Sequence, residues 1–481
     1  MPAAVADIVD NSIAAQAKNV WLQFNWANGL PTITIRDDGR GMGEAELSDA
    51  MRFGGQGPAR VREPTDLGRF GLGLKTASFS QCRRLTVATR RGGSSVEVRR
   101  WDLDYIAAAA RDWHLLKSAA EGSESLLADL HQAPSGTVIV WELLDRLSDG
   151  EVDEETSETI FLEAIDRVEE HLSMVFHRYL EGPAPAIRIF INGVDSAHQV
   201  KPWDPFMSDH PATIRRPVER IYTRAGIVEV QGFILPHKDR LSAQASERFA
   251  GASGWTAHQG IYVYRNKRLL VAGSWLGLGA PRRWTKEEAY KLARLRLDIT
   301  NAADEDWKVD IRKSTARPPQ YLRSRLRVLA DDARQLARQV FAHRGNYGAR
   351  PPEPAVKRVW TALERDRRVT YRIDRKHAAV HNVYDLAGDQ SSTVDAMLRI
   401  IEETVPVQKI WLDATERGEV ATGGFSELPS KETEAILKTV YRDLRRRIGL
   451  NPSTARERLM QMEPFNQYPD LVAALPENPE C

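Results

Sequence analysis

The sequence predicts an α+β chain in three successive parts: a sheet covered by helices on one face over residues 1–200, a second unit with strands before a long helix over 201–345, and a mixed, mainly helical region over 346–481. Three observations predict it. Val5, Ile8, Val9 and Ile13 recur at helical spacing and are followed at once by two alternating, strand-like segments. Strand-like segments then return as far as Ala272, ahead of a long leucine-bearing helical pattern. Finally, GNYGARPPEP from Gly345 to Pro354 is a Gly/Pro linker, and mostly helical patterns follow it. With 481 residues the chain is too long for one core.

In order along the chain, the first helix is predicted over residues 3–17. Asn19 to Trp26 and Pro31 to Arg36 make a hairpin about Gly29. Leu85 to Thr89 and Val96 to Trp101 read as strands around the turn Arg90-Arg91-Gly92-Gly93, and Thr137 to Trp141 as another. The interval 102–135 reads as mainly helical and polar. An acidic run from Asp149 to Glu158 precedes an amphipathic helix through Ile160, Ala164, Val168, Leu172 and Phe176, so its charge suits a helix start. A strand from Ile187 to Asn192 closes the first part. In the second part, Ile227 to Ile234, Gly260 to Val263 and Leu269 to Ala272 read as strands, the last two joined at Arg265-Asn266-Lys267-Arg268. A helix from about Pro319 to Arg344 follows. Its Arg323, Arg325, Arg327, Arg334 and Arg338 read as a solvated face or as a contact for a phosphate backbone. Beyond the linker come a strand, VTYRIDR, and helices around 392–403, 431–448 and 452–462.

Composition narrows the function. Forty-two per cent hydrophobic and 28% charged residues is ordinary globular usage, and a net charge of +1 argues against a strongly basic whole-chain nucleic-acid binder. No apolar run reaches the roughly 20 residues that span a bilayer. MPAAVADIVDNS does not resemble a secretory signal, so a cytoplasmic location is the expectation. Cys82 and Cys481 alone supply neither a disulfide framework nor a cysteine metal cluster, and no histidine pairs with them at ligand spacing.

Chemistry concentrates in two stretches. Asp7 and Asn11 lie four apart and share one face of the first helix. DLGRFGLGLKTASFS, residues 66–80, spaces Gly68, Gly71 and Gly73 so that backbone N–H groups can approach phosphate oxygens, with a helix start behind them as an anion site. On spacing alone, a glycine turn capping a core helix is the favoured reading. Asp37-Asp38-Gly39-Arg40-Gly41-Met42 places acids and glycines where a strand stops, which a simple turn also favours.

Together these segments resemble the GHKL (Bergerat-fold) ATPases, the superfamily of DNA gyrase, heat-shock chaperone ATPases, histidine kinases and MutL. Asp7-Ile-Val-Asp-Asn11-Ser resembles the N-box, Asp37-x-Gly39-x-Gly41 the adenine-site motif, Gly68-x-x-Gly71-x-Gly73 the ATP lid, and Gly136-Thr137 the last motif. LGRFGLGLKTASFSQ and GIYVYRNKRLL look most like the MORC and MutL branch, including prokaryotic members. The resemblance implies an ATPase sandwich, a ribosomal-S5-like transducer and a C-terminal interaction region.

It also implies roles. Asn11 holds Mg²⁺ against the ATP triphosphate, Asp7 activates the attacking water, Asp37 accepts the adenine amino group with Thr137 behind it, and Gly39 and Gly41 leave room for the base. Met42, Gly68, Gly71, Gly73, Leu74 and Lys75 complete the nucleotide contacts, and a transducer lysine, Lys313 between Lys308 and Arg312, touches the γ-phosphate. The implied output is an ATP-driven conformational switch acting on DNA or a DNA-processing protein, with ATP-dependent homodimerisation and no membrane. Two departures stand out. The family's water-activating residue is usually glutamate, and Asp7 reaches about 1.5 Å less, which predicts slow turnover or a role shared with Asp10. The motif helix also begins almost at Met1, whereas relatives carry more residues ahead of it, so either the start site is misplaced or this member works without a strap across a partner subunit, and a histidine-kinase reading needs a phosphoacceptor helix ahead of the N-box. A chaperone-type ATPase and a non-hydrolysing nucleotide-binding scaffold are the alternatives.

Overall fold

The computed structural model describes residues 1–27, 29–52, 73–108, 113–144, 153–251, 253–303, 306–308, 316–342, 358–365, 368–406 and 431–477. The chain divides into two compact units, Met1–Gly348 and Ala349–Cys481, so the boundary falls within the Gly/Pro linker.

In the first unit, helix α1 (Pro2–Ala14) opens the chain. Pro2 sits where a missing N–H costs nothing. The helix stops short of residue 17 because Gln16 turns left-handed at φ 61°. Ala17 N–H then donates to Ser12 O and Gln16 N–H to Ile13 O, the paired bonds of a Schellman end. Strands β1 (Asn19–Ala27) and β2 (Leu30–Asp37) follow as the predicted hairpin. Next come α2 (Glu44–Met51), α3 (Gly73–Phe79), β3 (Arg84–Arg90), β4 (Glu97–Asp102), β5 (Gly136–Glu142), the long α4 (Glu154–Val175) and β6 (Arg188–Ile191). The sheet order is β4-β3-β5-β2-β1-β6, antiparallel except for the β1–β6 pair. Asp153 caps α4 by accepting the Thr156 N–H, which bears out the reading of acids at that helix start.

The core lies on one face of this sheet. Val5, Ile8 and Val9 of α1 are fully buried there with Ile33, Leu85, Trp141, Phe161, Val168 and Leu172. Each such aliphatic side chain contributes about 1.5–3 kcal/mol on burial. The opposite face carries a smaller cluster, with Leu127 and Leu130 against Ala88, Val138 and Val140. The interval 102–135 is less helical than predicted: among its described residues are only the short helices Leu103–Ala108 and Ala128–Gln132 and a single 3-10 turn.

The second sheet holds β7 (Ile214–Arg215), β8 (Glu219–Thr223), β9 (Gly226–Ile234), β10 (Gly260–Arg265), β11 (Arg268–Ser274) and β12 (Ala293–Ile299). It runs β11-β10-β12-β9-β7 with β8 also on β9, and helix α5 (Gln320–Ala342) covers it. β12 pairs in parallel with β10. Three arginines of α5 serve the fold itself. Arg323 donates to Gly277 O, Arg325 pairs with Glu219, and buried Arg334 lies against the rings of Trp275, Trp284 and Tyr290. Arg327 and Arg338 are exposed.

The second unit has a hairpin of β13 (Trp360–Arg365) and β14 (Arg368–Ile373), then α6 (Ala378–Ala387), α7 (Ser391–Thr404), α8 (Lys431–Arg446) and α9 (Pro452–Met460). Leu437, Val440, Tyr441, Leu444, Leu459 and Phe465 form its core. Arg372 of the hairpin pairs with Glu402 and Glu403 of α7.

Candidate functional site

The end of α1 and the end of β2 meet at a buried carboxylate. Asp37 is the last residue of β2 and lies opposite Thr137 of β5, so sheet register alone places the two motifs side by side. Its Oδ2 accepts the Ser12 hydroxyl at 2.9 Å and its Oδ1 accepts the Gly39 N–H at 2.9 Å. Burial pushes the Asp37 carboxyl up to about 6, against the pull of these hydrogen bonds and of the Thr137 backbone. Ionised, it has acceptor capacity beyond these two donors. Neighbouring Asp38 is committed to the fold: its Oδ1 accepts the Lys18 and Asn19 N–H groups at 2.7 and 2.8 Å, and its Oδ2 accepts Asn19 Nδ2 at 2.7 Å. Structure thus separates two adjacent aspartates that look alike in sequence.

The glycines around Asp37 answer to close backbone approach. A Cβ on Gly41, where φ is +64°, would lie 1.9 Å from the Arg90 carbonyl oxygen, and one on Gly136 would lie 2.3 Å from the Asp37 carbonyl. At Gly39 the added atom would meet Ala15 Cβ at 2.8 Å. The side of Gly39 and Gly41 that a Cβ would occupy is therefore filled by the protein itself. Thr137 is buried, with its hydroxyl 3.3 Å from that of Thr89. Thr89 in turn accepts the Met42 N–H at 2.9 Å, which ties the segment after β2 to β3.

On α1, Asn11 is exposed and directly precedes Ser12, so it stands at the same end of the site as Asp37. Asp10 is buried and takes Arg268 Nε on both carboxylate oxygens at 2.8 Å. Asp7, partly buried, has its Oδ1 3.8 Å from a terminal nitrogen of the same arginine. Asp10 is thus engaged by an arginine of the second sheet. That arginine's charge, after burial, also helps hold His171 of α4 down at about 4.

Gly73, Leu74 and Lys75 begin α3. Lys75 is buried, and its Nζ donates to Ala50 O at 2.6 Å; burial pulls the ammonium below its usual range. Gly68, Gly71, Arg312 and Lys313 lie outside the described residues, whereas Lys308 lies within them.

These groups suit an adenine nucleotide with a hard divalent cation. Asp37 is a buried acceptor with capacity to spare, fit for an exocyclic amino group. The Asn11 carboxamide oxygen is the ligand type such a cation takes when phosphates complete its shell. Sequence reasoning missed Ser12, Thr89 and Arg268. Ser12 follows the N-box directly, whereas nothing in the spacing marks Arg268, which lies 258 positions from Asp10.

Comparison with known proteins follows the same residues. The family model described as histidine kinase-, DNA gyrase B-, and HSP90-like ATPase matches residues 1–137, from α1 to the Thr137 beside Asp37. ATPase morc-1 of Caenorhabditis elegans is 33% identical over 90 residues, 19% of this chain and 10% of that protein. The match therefore spans about a tenth of the relative's length. Residues 1–137 are thus similar to the GHKL ATPases, and a stretch of 90 residues is similar to a MORC ATPase.

Proposed function

We propose that the chain binds ATP with Mg²⁺ and hydrolyses it slowly, as a conformational switch. The buried Asp37 between α1 and β5 carries the reading, because its ionised carboxylate keeps acceptor capacity beyond the Ser12 and Gly39 donors. In this proposal Asp37 accepts the adenine amino group, with Thr137 behind it. Met42, Gly68, Gly71, Gly73, Leu74 and Lys75 border the nucleotide. Asn11 holds Mg²⁺, which supplies charge neutralisation at the triphosphate. Asp7 orients the attacking water and takes its proton. Lys313 reaches the γ-phosphate, so that ATP binding draws the lid and the transducer together and hydrolysis releases them.

Similarity to the MORC and MutL branch extends the proposal to DNA or a DNA-processing protein as client, with a homodimer as the ATP-bound state. Salt-dependent binding to DNA, set against binding to unfolded protein, separates this client from that of a chaperone-type ATPase. A non-hydrolysing scaffold is the second reading, favoured by the short Asp7 side chain and by its nearness to Arg268. Steady-state ATP hydrolysis by wild type and by Asp7→Asn decides between them. Slow turnover lost in the variant, with ATP still bound, supports the ATPase. ATP bound by both with turnover in neither supports the scaffold.

A further inference from the structure

We propose that Arg268 is a positioning residue that makes ATP hydrolysis depend on docking of the second sheet against α1. The inference rests on the ATPase reading and concerns the regulation of that same site. Arg268 is the first residue of β11 and follows the two-residue turn Asn266-Lys267, whose φ angles of 47° and 69° are those of a tight hairpin. The turn delivers the guanidinium into the ATPase module, where it is buried. Each of its nitrogens has a task there. Nε serves both oxygens of Asp10 at 2.8 Å, one terminal nitrogen donates to Leu269 O at 3.0 Å, and the other faces Asp7 at 3.8 Å.

A buried pair with Asp10 alone would be structural, and an ammonium would serve it nearly as well. The arm toward Asp7 is what the planar, forked guanidinium adds. Asp7 and Asp10 lie three apart on α1, and Asp7 works beside a triphosphate in the proposed reaction. Without a fixed cation beside it the Asp7 carboxylate can swing, and a base must be aimed to act. The aim comes from outside the ATPase sheet. The same hairpin is seated by His177 Nε2 on the Tyr264 hydroxyl at 2.8 Å, by the Tyr179 hydroxyl donating to Asn266 O, and nearby by the Arg178–Asp298 ion pair. Any movement of the second sheet away from α1 withdraws Arg268 from Asp10 and Asp7.

Two variants of the full chain test this: Arg268→Lys, which keeps a charge for Asp10 and loses the fork, and the neutral pair Arg268→Gln with Asp10→Asn, which removes both charges of the buried pair. The expected result is a kcat at least tenfold lower in both, with the ATP dissociation constant within twofold of wild type and the melting temperature within a few degrees. A wild-type kcat in either folded variant overturns the inference, as does a parallel loss of ATP affinity, which marks a purely structural role. Wild type that neither binds nor hydrolyses ATP overturns the ATPase reading itself, a distinct pattern.

Discussion

Replacing Asp37 with asparagine separates what this carboxylate does for ATP from what it costs the fold. Its ordinary value of 3.8 is raised to about 6 by burial. The folded chain therefore keeps a proton that the unfolded chain has released, and stability falls as pH rises from about 4 through 6. At roughly 1.4 kcal/mol per unit, the ionised carboxylate at pH 8 costs the fold about 3 kcal/mol relative to a neutral group. Asparagine removes that cost. Its oxygen accepts the Gly39 N–H, and its amide faces the Ser12 hydroxyl, which is also an acceptor. Asp37→Asn should then melt a few degrees higher at pH 8, with about half the gain left at pH 5. For the nucleotide the sign is opposite. Losing a charged acceptor for the adenine amino group removes about 1.5–3 kcal/mol, which is roughly 10- to 150-fold in affinity. Isothermal calorimetry with Mg-ATP at pH 8 and thermal melts at both pH values make the assay. A variant that binds ATP like wild type refutes the assignment of Asp37 to the base, and a variant that melts lower at pH 8 refutes the electrostatic account of its burial.

The same carboxyl sets a pH dependence in wild type: ATP affinity should weaken as pH falls through about 6. Ser12→Ala, which removes a hydrogen bond to the ionised form, should move that midpoint upward in a calorimetric series. Gly41→Ala should destabilise the first unit by several kcal/mol, because its Cβ meets the Arg90 carbonyl and its backbone is left-handed. Gly43→Ala, with nothing within 4 Å of the added Cβ, should cost under about 1 kcal/mol by denaturant titration. Asp7→Asn should abolish turnover in a steady-state assay and leave ATP binding in place.

Local pattern carried much of this fold in the sequence. Val5, Ile8 and Val9 announced α1, and the alternation about Gly29 announced the β1–β2 hairpin, because one-sided burial writes itself into short-range periodicity. Helix ends were less legible: α1 stops at Ala14 through a left-handed Gln16, a residue that carries no such signal. Strand β12 went unread although Ala293–Ile299 alternates apolar and charged residues, and its partners β10 and β9 lie far earlier in the chain. In the site, Asp37 and Asn11 stood out by motif, yet the neighbours that define their chemistry did not. Ser12 becomes a partner of Asp37 only when α1 packs beside β2, and Arg268 reaches Asp10 and Asp7 only when the second sheet folds against the first. Lys75, which the resemblance places among the nucleotide contacts, is buried on the Ala50 carbonyl because α3 packs into the core.

The most direct measurement is a crystal structure of the full chain with Mg²⁺ and a non-hydrolysable ATP analogue. This account predicts the adenine amino group on Asp37, the Asn11 oxygen on the metal, Asp7 facing the γ-phosphate and Lys313 touching it. A nucleotide bound elsewhere, or a bound nucleotide with Asp37 turned from the base and Asn11 turned from the metal, contradicts it.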